Sequence, residues 1–570
     1  MPIRLNVFVS SVRHVVSSSV FVYRFIVFHL NPLLLHLSYF LAIDLFGFLA
    51  LVLLKPSNPG YHPRYMDMFF MSTSAATVTG LATVKMEDLS SSQIVVLTLL
   101  MLSGSEMFVS FLGLLQSSRK RTRHDPDHGA RVRSVVVTIS GEANLEQSNT
   151  NPTSSSASSD DHNDDEGGGA LRSLALVVLT YMATILVVGS LLVFVSVAGV
   201  PSSRDVLTSK GIDAALFSAS VTVSSFTNGG LLPTNEGMAV FATNRGLLLL
   251  LAGQILAGNT LLPVFLRLVI WATRGIARVF TSRRGSDEDE GLHDESMAKD
   301  AMAAGFGHLL LPGLQTVLLA ATVVSVAAAV VVLFCCLNWN SDVFAGLTAG
   351  EKVINAVFMA VNVRQAGENS IDCSLVAPAV LVLFLAMMSV TTFLHSCSSC
   401  VQEDDAQFGR ELIVNKFCKR FQVRSGHRDI VLLTRRSGGE GNSKDGAAPK
   451  RNKRRLSLNR RMFLSPLACV AAATMVVCVT ERRSLSGDPL NFSTFNVIFE
   501  VVSAYGNVGL STGYSCSKLP LPEEATACHD KPYSFSGWWS DQGKLLLVLL
   551  MLYGRLKGFF HKQQQQQRRT

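Results

Sequence analysis

The chain has 570 residues, 48% of them hydrophobic and only 16% charged, with a formal net charge of +8. That is more apolar surface than a soluble core could hide, so composition excludes an ordinary soluble globular protein and points to a polytopic membrane protein.

Apolar runs long enough to meet the ~20 residues a bilayer demands occur in this order: Pro32 to Leu54, Ile94 to Leu115, Leu174 to Val200, Leu247 to Ala272, Leu309 to Leu337, Val376 to Leu394, Phe463 to Val479 and Leu545 to Phe560. The last two are short or flanked by charges. Basic residues cluster before the first run (Arg4, Arg13, Arg24), after the second (Arg119 to Arg133), after the fourth (Arg274, Arg278, Arg283, Arg284) and between the sixth and seventh (Arg410 to Arg461). Every second loop is basic, which predicts cytosolic termini and a multi-pass chain. The run "KRNKRR" also fits a nuclear-targeting or nucleic-acid-binding pattern, but between spans it reads as a topology signal, and no nucleic-acid partner is expected.

The N-terminal stretch, free of Asp and Glu up to residue 43, has the loose composition of an organelle transit peptide. A juxtamembrane segment against an anionic leaflet has the same composition and is the preferred reading. Glu142 to Gly169 is polar and acidic, and Ser437 to Ala448 is rich in Gly and Ser, so both read as linkers without structure. The predicted organisation is a cytosolic segment 1–31, repeat 1 over 32–115, a linker 116–170, repeat 2 over 171–273, a linker 274–307, repeat 3 over 308–397, a basic linker 398–461, repeat 4 over 462–560 and a tail 561–570.

The repeat is read from the outer loops. Each carries a short semi-apolar segment ending in a glycine-bearing turn: Asp67 to "TVTGL", Ile212 to "FTNGGL", Lys352 to "VRQAGE" and Phe492 to "YGNVGL". An internal repeat of helix, half-helix with turn, and helix accounts for the hydrophobic pattern. Non-helical backbone at membrane depth survives only when buried in protein or lining a water-filled path, so these turns are expected to line one. The C-terminal end of each half-helix favours cations, and glycine admits positive φ while placing no Cβ in the way. Thr79, Thr227, Asn228 and Asn507 are predicted to hold the turns in shape. The fold class expected is an all-α membrane protein with four pseudo-repeats around one central pore.

Several of these stretches, "STSAATVTGLATVKMEDLSSSQIVVLTLLML", "FTNGGLLPTNEGM", "GQILAGNTLLPVFLRLVIW", "GENSIDCSLVAPAVLVLF" and "YGNVGLSTGYSCS…KPYSFSGWWSDQGKLLLVLLMLYGRLK", closely resemble plant HKT transporters, the high-affinity potassium transporter branch of the Trk/Ktr/HKT superfamily. The resemblance runs from about residue 30 to Lys557, linkers excluded. It implies one pore per subunit passing Na⁺ and K⁺ across the plasma membrane, with no metal or organic cofactor. It also carries the family's filter positions to Gly80, Gly230, Gly367 and Gly509, and suggests Lys544 and Arg555 as basic residues that influence ion passage. An Arg at membrane depth is usually functional; the alternative is that Arg555 snorkels to the inner interface. Members with Ser at the first filter position look sodium-selective, whereas members with Gly look able to carry K⁺ as well, often coupled to Na⁺. Gly80 therefore implies the potassium-permeable type acting as a symport, with a sodium-selective uniporter as the alternative. Beside the lipid bilayer, a second copy of the chain is an admissible neighbour.

Three features depart from the family pattern: Gln365 where His is common, Gly237 where Asn is usual, and the ending "GFFHKQQQQQRRT". Cys397 and Cys400, in "CSSC", lack a second ligand pair and read as packing rather than zinc. Cys516 and Cys528 share an outer loop that permits oxidation, leaving a disulfide and two free thiols both open. Asn491, in "NFS", is a weak glycosylation site close to the membrane. A membrane enzyme is the competing class, but the spans offer only Asp44 and Glu106 as acids, each in a different span. A receptor has no need of four glycine turns, and a tetrameric channel no need of four repeats in one chain.

Overall fold

The computed structural model of the chain describes residues 32–58, 60, 62–123, 163–281, 306, 308–311, 313–401, 466–516 and 533–569. The expected N-terminal segment 1–31, "KRNKRR", Ser437 to Ala448, Cys528 and the side chains of Cys397 and Cys400 lie outside the described residues. Contacts divide the chain into one unit of Met1–Thr391 and Val470–Thr570 and a second of Thr392–Cys469. In the second, the described residues are the ends of two helices.

Among the described residues all regular structure is helical. Repeat 1 comprises α1 (Pro32–Leu53), the half-helix α2 (Tyr65–Ala76), α3 (Ser91–Gly104) and α4 (Glu106–Arg123). Repeat 2 comprises α5 (Asn163–Gly199), the short α6 (Pro201–Ser209), the half-helix α7 (Ala214–Thr227), α8 (Arg245–Gly258) and α9 (Leu262–Thr281). Repeat 3 comprises α10 (Gly313–Asn338), the half-helix α11 (Ala349–Asn362) and α12 (Pro378–Val401). Repeat 4 comprises α13 (Pro466–Thr480), α14 (Arg482–Gly487), the half-helix α15 (Thr494–Gly506) and α16 (Asp541–Arg569).

The half-helices start where local chemistry dictates. Asp213 and Ser493 cap α7 and α15 by accepting from the backbone of Leu216 and Asn496, and Thr348 forms a capping box with Glu351 at α11. Only α2 lacks a side-chain cap among the four; it carries Asp67 in its first turn instead. After each glycine turn the chain makes a 3-10 turn, at Met86–Asp88, Ala239–Phe241, Cys373–Leu375 and Phe535–Trp538. The same order of elements in all four places is the repeat seen in the sequence.

Packing closes the repeats on one another. In repeats 1, 2 and 4 the helix after the turn packs on its own half-helix and on that of the next repeat: α3 touches α2 and α7, α8 touches α7 and α11, and α16 touches α15 and α2. Repeat 4 thus returns to repeat 1. Large apolar side chains such as Phe46, Leu53, Val187, Leu191 and Leu314 remain exposed on the outside, as a lipid-facing surface requires.

Two expected spans are not straight. The run Ile94 to Leu115 breaks between α3 and α4 with a 53° bend, and Leu247 to Ala272 breaks between α8 and α9 with a 91° bend. The breaks have a backbone cause. A Cβ on Gly104 would collide with the carbonyl oxygen of Ala76, and one on Gly258 with that of Phe226, so these helices run into the C-terminal ends of the half-helices and turn away. Among the described residues three helices are individually long and apolar enough to span, Leu34–Leu53, Leu171–Gly199 and Gly313–Asn338, and the two bent pairs pass the same test together. One helix also reaches into a stretch expected to lack structure: α5 begins at Asn163, inside the Glu142 to Gly169 linker, while α16 runs on through the expected tail to Arg569.

Candidate functional site

Each half-helix ends in a turn whose key glycine has positive φ: +90° at Gly80, +70° at Gly230, +64° at Gly367 and +91° at Gly509. In three turns the residue two places earlier is also left-handed although it is not glycine: Val78, Asn228 and Asn507, at φ 56°, 60° and 51°. A left-handed Val is a strained conformation that the surrounding packing must enforce. The third turn differs: there Gln365 keeps a tight-turn bond from its N–H to the carbonyl of Asn362 at 3.0 Å.

The four glycines form a closed ring. A Cβ placed on Gly80 would lie 2.9 Å from both the Gly229 carbonyl oxygen and Gly230 Cα, and one on Gly230 would lie 2.6 Å from the Ala366 carbonyl oxygen. On Gly367 it would meet the carbonyl oxygen of Val508 and lie 2.8 Å from Gly509 Cα; on Gly509 it would meet the carbonyl oxygen of Thr79 and lie 3.0 Å from Gly80 Cα. Neighbouring turns therefore pack backbone to backbone in the order 80, 230, 367, 509 and back to 80. From sequence alone, glycine here keeps an ion's path clear of side chains. In the structure the first obstacle to a side chain is the backbone of the next turn. Outside the ring lies a cavity of about 550 Å³ lined by all four glycines and by Glu236 and Asp372, with no Lys or Arg among the described residues that line it.

The flanking residues divide by role. Thr79 Oγ1 accepts from Asn507 Nδ2 at 2.8 Å, and the same Nδ2 donates to the Met551 carbonyl at 3.0 Å, so Asn507 ties the fourth turn to the first and to α16. Thr79 Oγ1 also bonds Thr77 Oγ1 at 2.7 Å. Thr227 closes its helix by donating to the Val223 carbonyl at 2.7 Å. Asn228 is buried, and both its amide atoms lack a hydrogen-bond partner, so it holds its turn through backbone conformation rather than through its amide.

Behind the turns sit further polar groups, of which the sequence singles out Gln365 but neither Glu368 nor Glu500. Glu368, next to a ring glycine and fully buried, accepts from Ser225 Oγ at 2.9 Å through both carboxylate oxygens, joining repeats 3 and 2. Glu500 Oε1 accepts from the Ser536 N–H at 2.9 Å. Gln365 Oε1 accepts from Thr260 Oγ1 at 2.9 Å, linking the third turn to the break between α8 and α9. Gly237 has φ +64°, a conformation that Asn tolerates better than other residues with a side chain.

The two basic residues are placed differently from each other. Lys544, fully buried at the start of α16, donates to Asp67 Oδ1 at 2.6 Å; it joins the last helix to the first half-helix and is not among the cavity-lining residues. Arg555 Nη2 donates to the Gly104 carbonyl at 2.5 Å, with Phe40 6.0 Å away and Glu106 within electrostatic reach. Two residues on, Lys557 Nζ donates to the Tyr505 hydroxyl and lies 4.9 Å from the centre of its ring. Of the acids noted within spans, Asp44 accepts from Thr73 Oγ1 at 2.8 Å and Ser72 Oγ donates to its carbonyl at 2.7 Å, fastening α1 to α2.

The remaining features are structural. Cys516 is disulfide-bonded. Asn491 is buried, with Nδ2 donating to Asp488 at 3.0 Å and to the Ser515 carbonyl at 2.9 Å, leaving no room for a glycan in the folded chain. Among the described residues no three His, Cys, Asp or Glu side chains cluster as metal ligands.

Residues 62–560 match a family described as TrkH, Cation transport protein. The chain is 56% identical over 556 residues to a protein named cation transporter HKT2;4 of Oryza sativa subsp. japonica, covering 98% of both. It is 54% identical over 556 residues to the probable cation transporter HKT2;3 of the same organism, again covering 98% of both. To the sodium transporter HKT1 of Arabidopsis thaliana it is 34% identical over 513 residues, covering 90% of each.

Proposed function

The chain belongs to the TrkH cation transport family, and we propose that it passes K⁺ as well as Na⁺ across the plasma membrane through the ring of Gly80, Gly230, Gly367 and Gly509, with the two ions coupled as a symport. That it is a membrane transporter of monovalent cations, and not an enzyme, follows from the family and from the plant transporters it resembles over nearly its full length. The finer reading rests on one observation, the closed ring in which four successive turns meet backbone to backbone. Such a ring offers carbonyl oxygens from four turns in place of an ion's water, and the negative ends of four half-helices favour a cation there. K⁺ sheds its water more readily than Na⁺, and glycine at the first turn keeps all four members alike. The acid-lined outer cavity supports entry of cations over anions. No resident metal or organic cofactor has a part in this scheme.

A sodium-selective uniporter is the second reading, supported by the Arabidopsis relative's name. Voltage-clamp recording of cells expressing the chain separates the two. A reversal potential that moves with external K⁺ at constant Na⁺ is the result expected, and one that follows Na⁺ alone supports the uniporter. Orientation rests on the basic loops: a protease-cleavable tag at residue 155 should stay protected in intact cells, and cleavage from outside would reverse the topology.

A further inference from the structure

Lys210 follows α6 and lies at the outer mouth of the second repeat. Its Nζ donates to Glu87 Oε1 and to Glu236 Oε2, both at 2.7 Å. Neither carboxylate is there by accident of a flexible surface. Glu87 sits in the 3-10 turn after the first ring glycine, accepts from the Asn235 N–H at 3.2 Å, and donates its own N–H to Asn235 Oδ1 at 3.2 Å. Glu236 lines the outer cavity directly. The Lys210 side chain is 17% exposed, against 25% for Glu87 and 41% for Glu236. Burial works against its charge, but Glu236 and Glu87 outweigh that and hold the ammonium above the usual lysine range.

We propose that Lys210 limits the rate of cation entry by cancelling the negative charge that Glu87 and Glu236 place at the mouth of the ring. This rests on the transport reading above. Among the described residues the cavity lining holds acids and no base, and their field draws cations inward. Lys210 is a cation set against that field: with it the group of three carries one net negative charge, and without it two. One unit charge about 10 Å away through water changes a local monovalent ion concentration about twofold. The effect fades as salt shortens the screening length from about 30 Å at 10 mM to about 8 Å at 150 mM. A purely mechanical strap between the loops would show no such fading.

The test compares Lys210→Gln with wild type by voltage clamp, with current normalised to surface protein and permeant salt at about 10 mM or about 150 mM, osmolarity held with sorbitol. Lys210→Gln should carry about twice the wild-type inward current at the low concentration and close to the wild-type current at the high one, and Lys210→Arg should restore the wild-type ratio. An unchanged or reduced current at low salt, or the same ratio at both concentrations, would overturn the proposal. If Lys210→Gln does not reach the surface, Glu236→Gln decides: its low-salt current should fall about twofold, and an unchanged current overturns the proposal equally. A wild type that carries no cation current would instead refute the transport reading.

Discussion

Arg555 Nη2 donates to the carbonyl oxygen of Gly104 at 2.5 Å, a contact between the last helix and the end of α3. Gly104 is the last residue of α3, so its carbonyl is one that the broken helix leaves without an intrahelical partner. A cation there satisfies that carbonyl and complements the helix dipole. Arg555→Gln should therefore lower the thermal stability of the detergent-solubilised protein, by about 1.5–3 kcal/mol for a hydrogen bond to a charged group. An unchanged melting temperature would mean that the side chain serves only the inner interface.

Lys544 and Asp67 form a buried pair between α16 and α2. Asp67 keeps Arg64 Nε at 3.3 Å from its other carboxylate oxygen, so Lys544→Met should cost less than the about 3–5 kcal/mol of an uncompensated buried charge but still reduce folded protein. Lys544→Met combined with Asp67→Leu should recover much of that loss, and a double-mutant cycle of stabilities measures the coupling. Additive effects would show that the pair does not act as a unit.

Gly104, Gly258 and Gly554 are each the fourteenth residue of their helix, α3, α8 and α16. Each presses its backbone against the carbonyl at the end of a half-helix, that of Ala76, Phe226 or Tyr505. Gly258→Ala should destabilise the protein by about 1–3 kcal/mol or more, as overpacking does. Gly253→Ala in the same helix, where a Cβ would meet nothing within 4 Å, should be neutral or stabilising by up to about 1 kcal/mol. Melting temperatures of the two variants check this, and equal shifts would contradict it.

The four ring glycines were legible because each is a polar interruption in an oily chain: "TVTGL" and "YGNVGL" lie between runs that otherwise read as membrane, and all four recur in one order of elements. The helix breaks at Gly104 and Gly258 were not legible. An apolar run is read as an average over its length, and one glycine in "MLSGSEM" or "ILAGNT" lowers that average little; only the approach of a half-helix end makes the glycine a breaking point. The role of Lys544 was hidden for another reason. Its partner Asp67 is 477 positions away, and nothing in either local sequence announces the other.

The central claim, that the ring of four glycines is the path for K⁺ and Na⁺, is tested most directly at Gly80. A serine there must adopt φ near +90° and push its Cβ against Gly229 and Gly230, 2.9 Å away, so one seam of the ring has to deform. Na⁺, the smaller ion, can use the added hydroxyl as a ligand, whereas K⁺ loses the even ring that suits it. A change of about 1.4 kcal/mol in relative barrier shifts the permeability ratio about tenfold. The measurement is the reversal potential of wild type and Gly80→Ser as external K⁺ replaces Na⁺. The account predicts that wild type responds to both ions and that Gly80→Ser responds far less to K⁺; equal responses to K⁺ in the two proteins would contradict it.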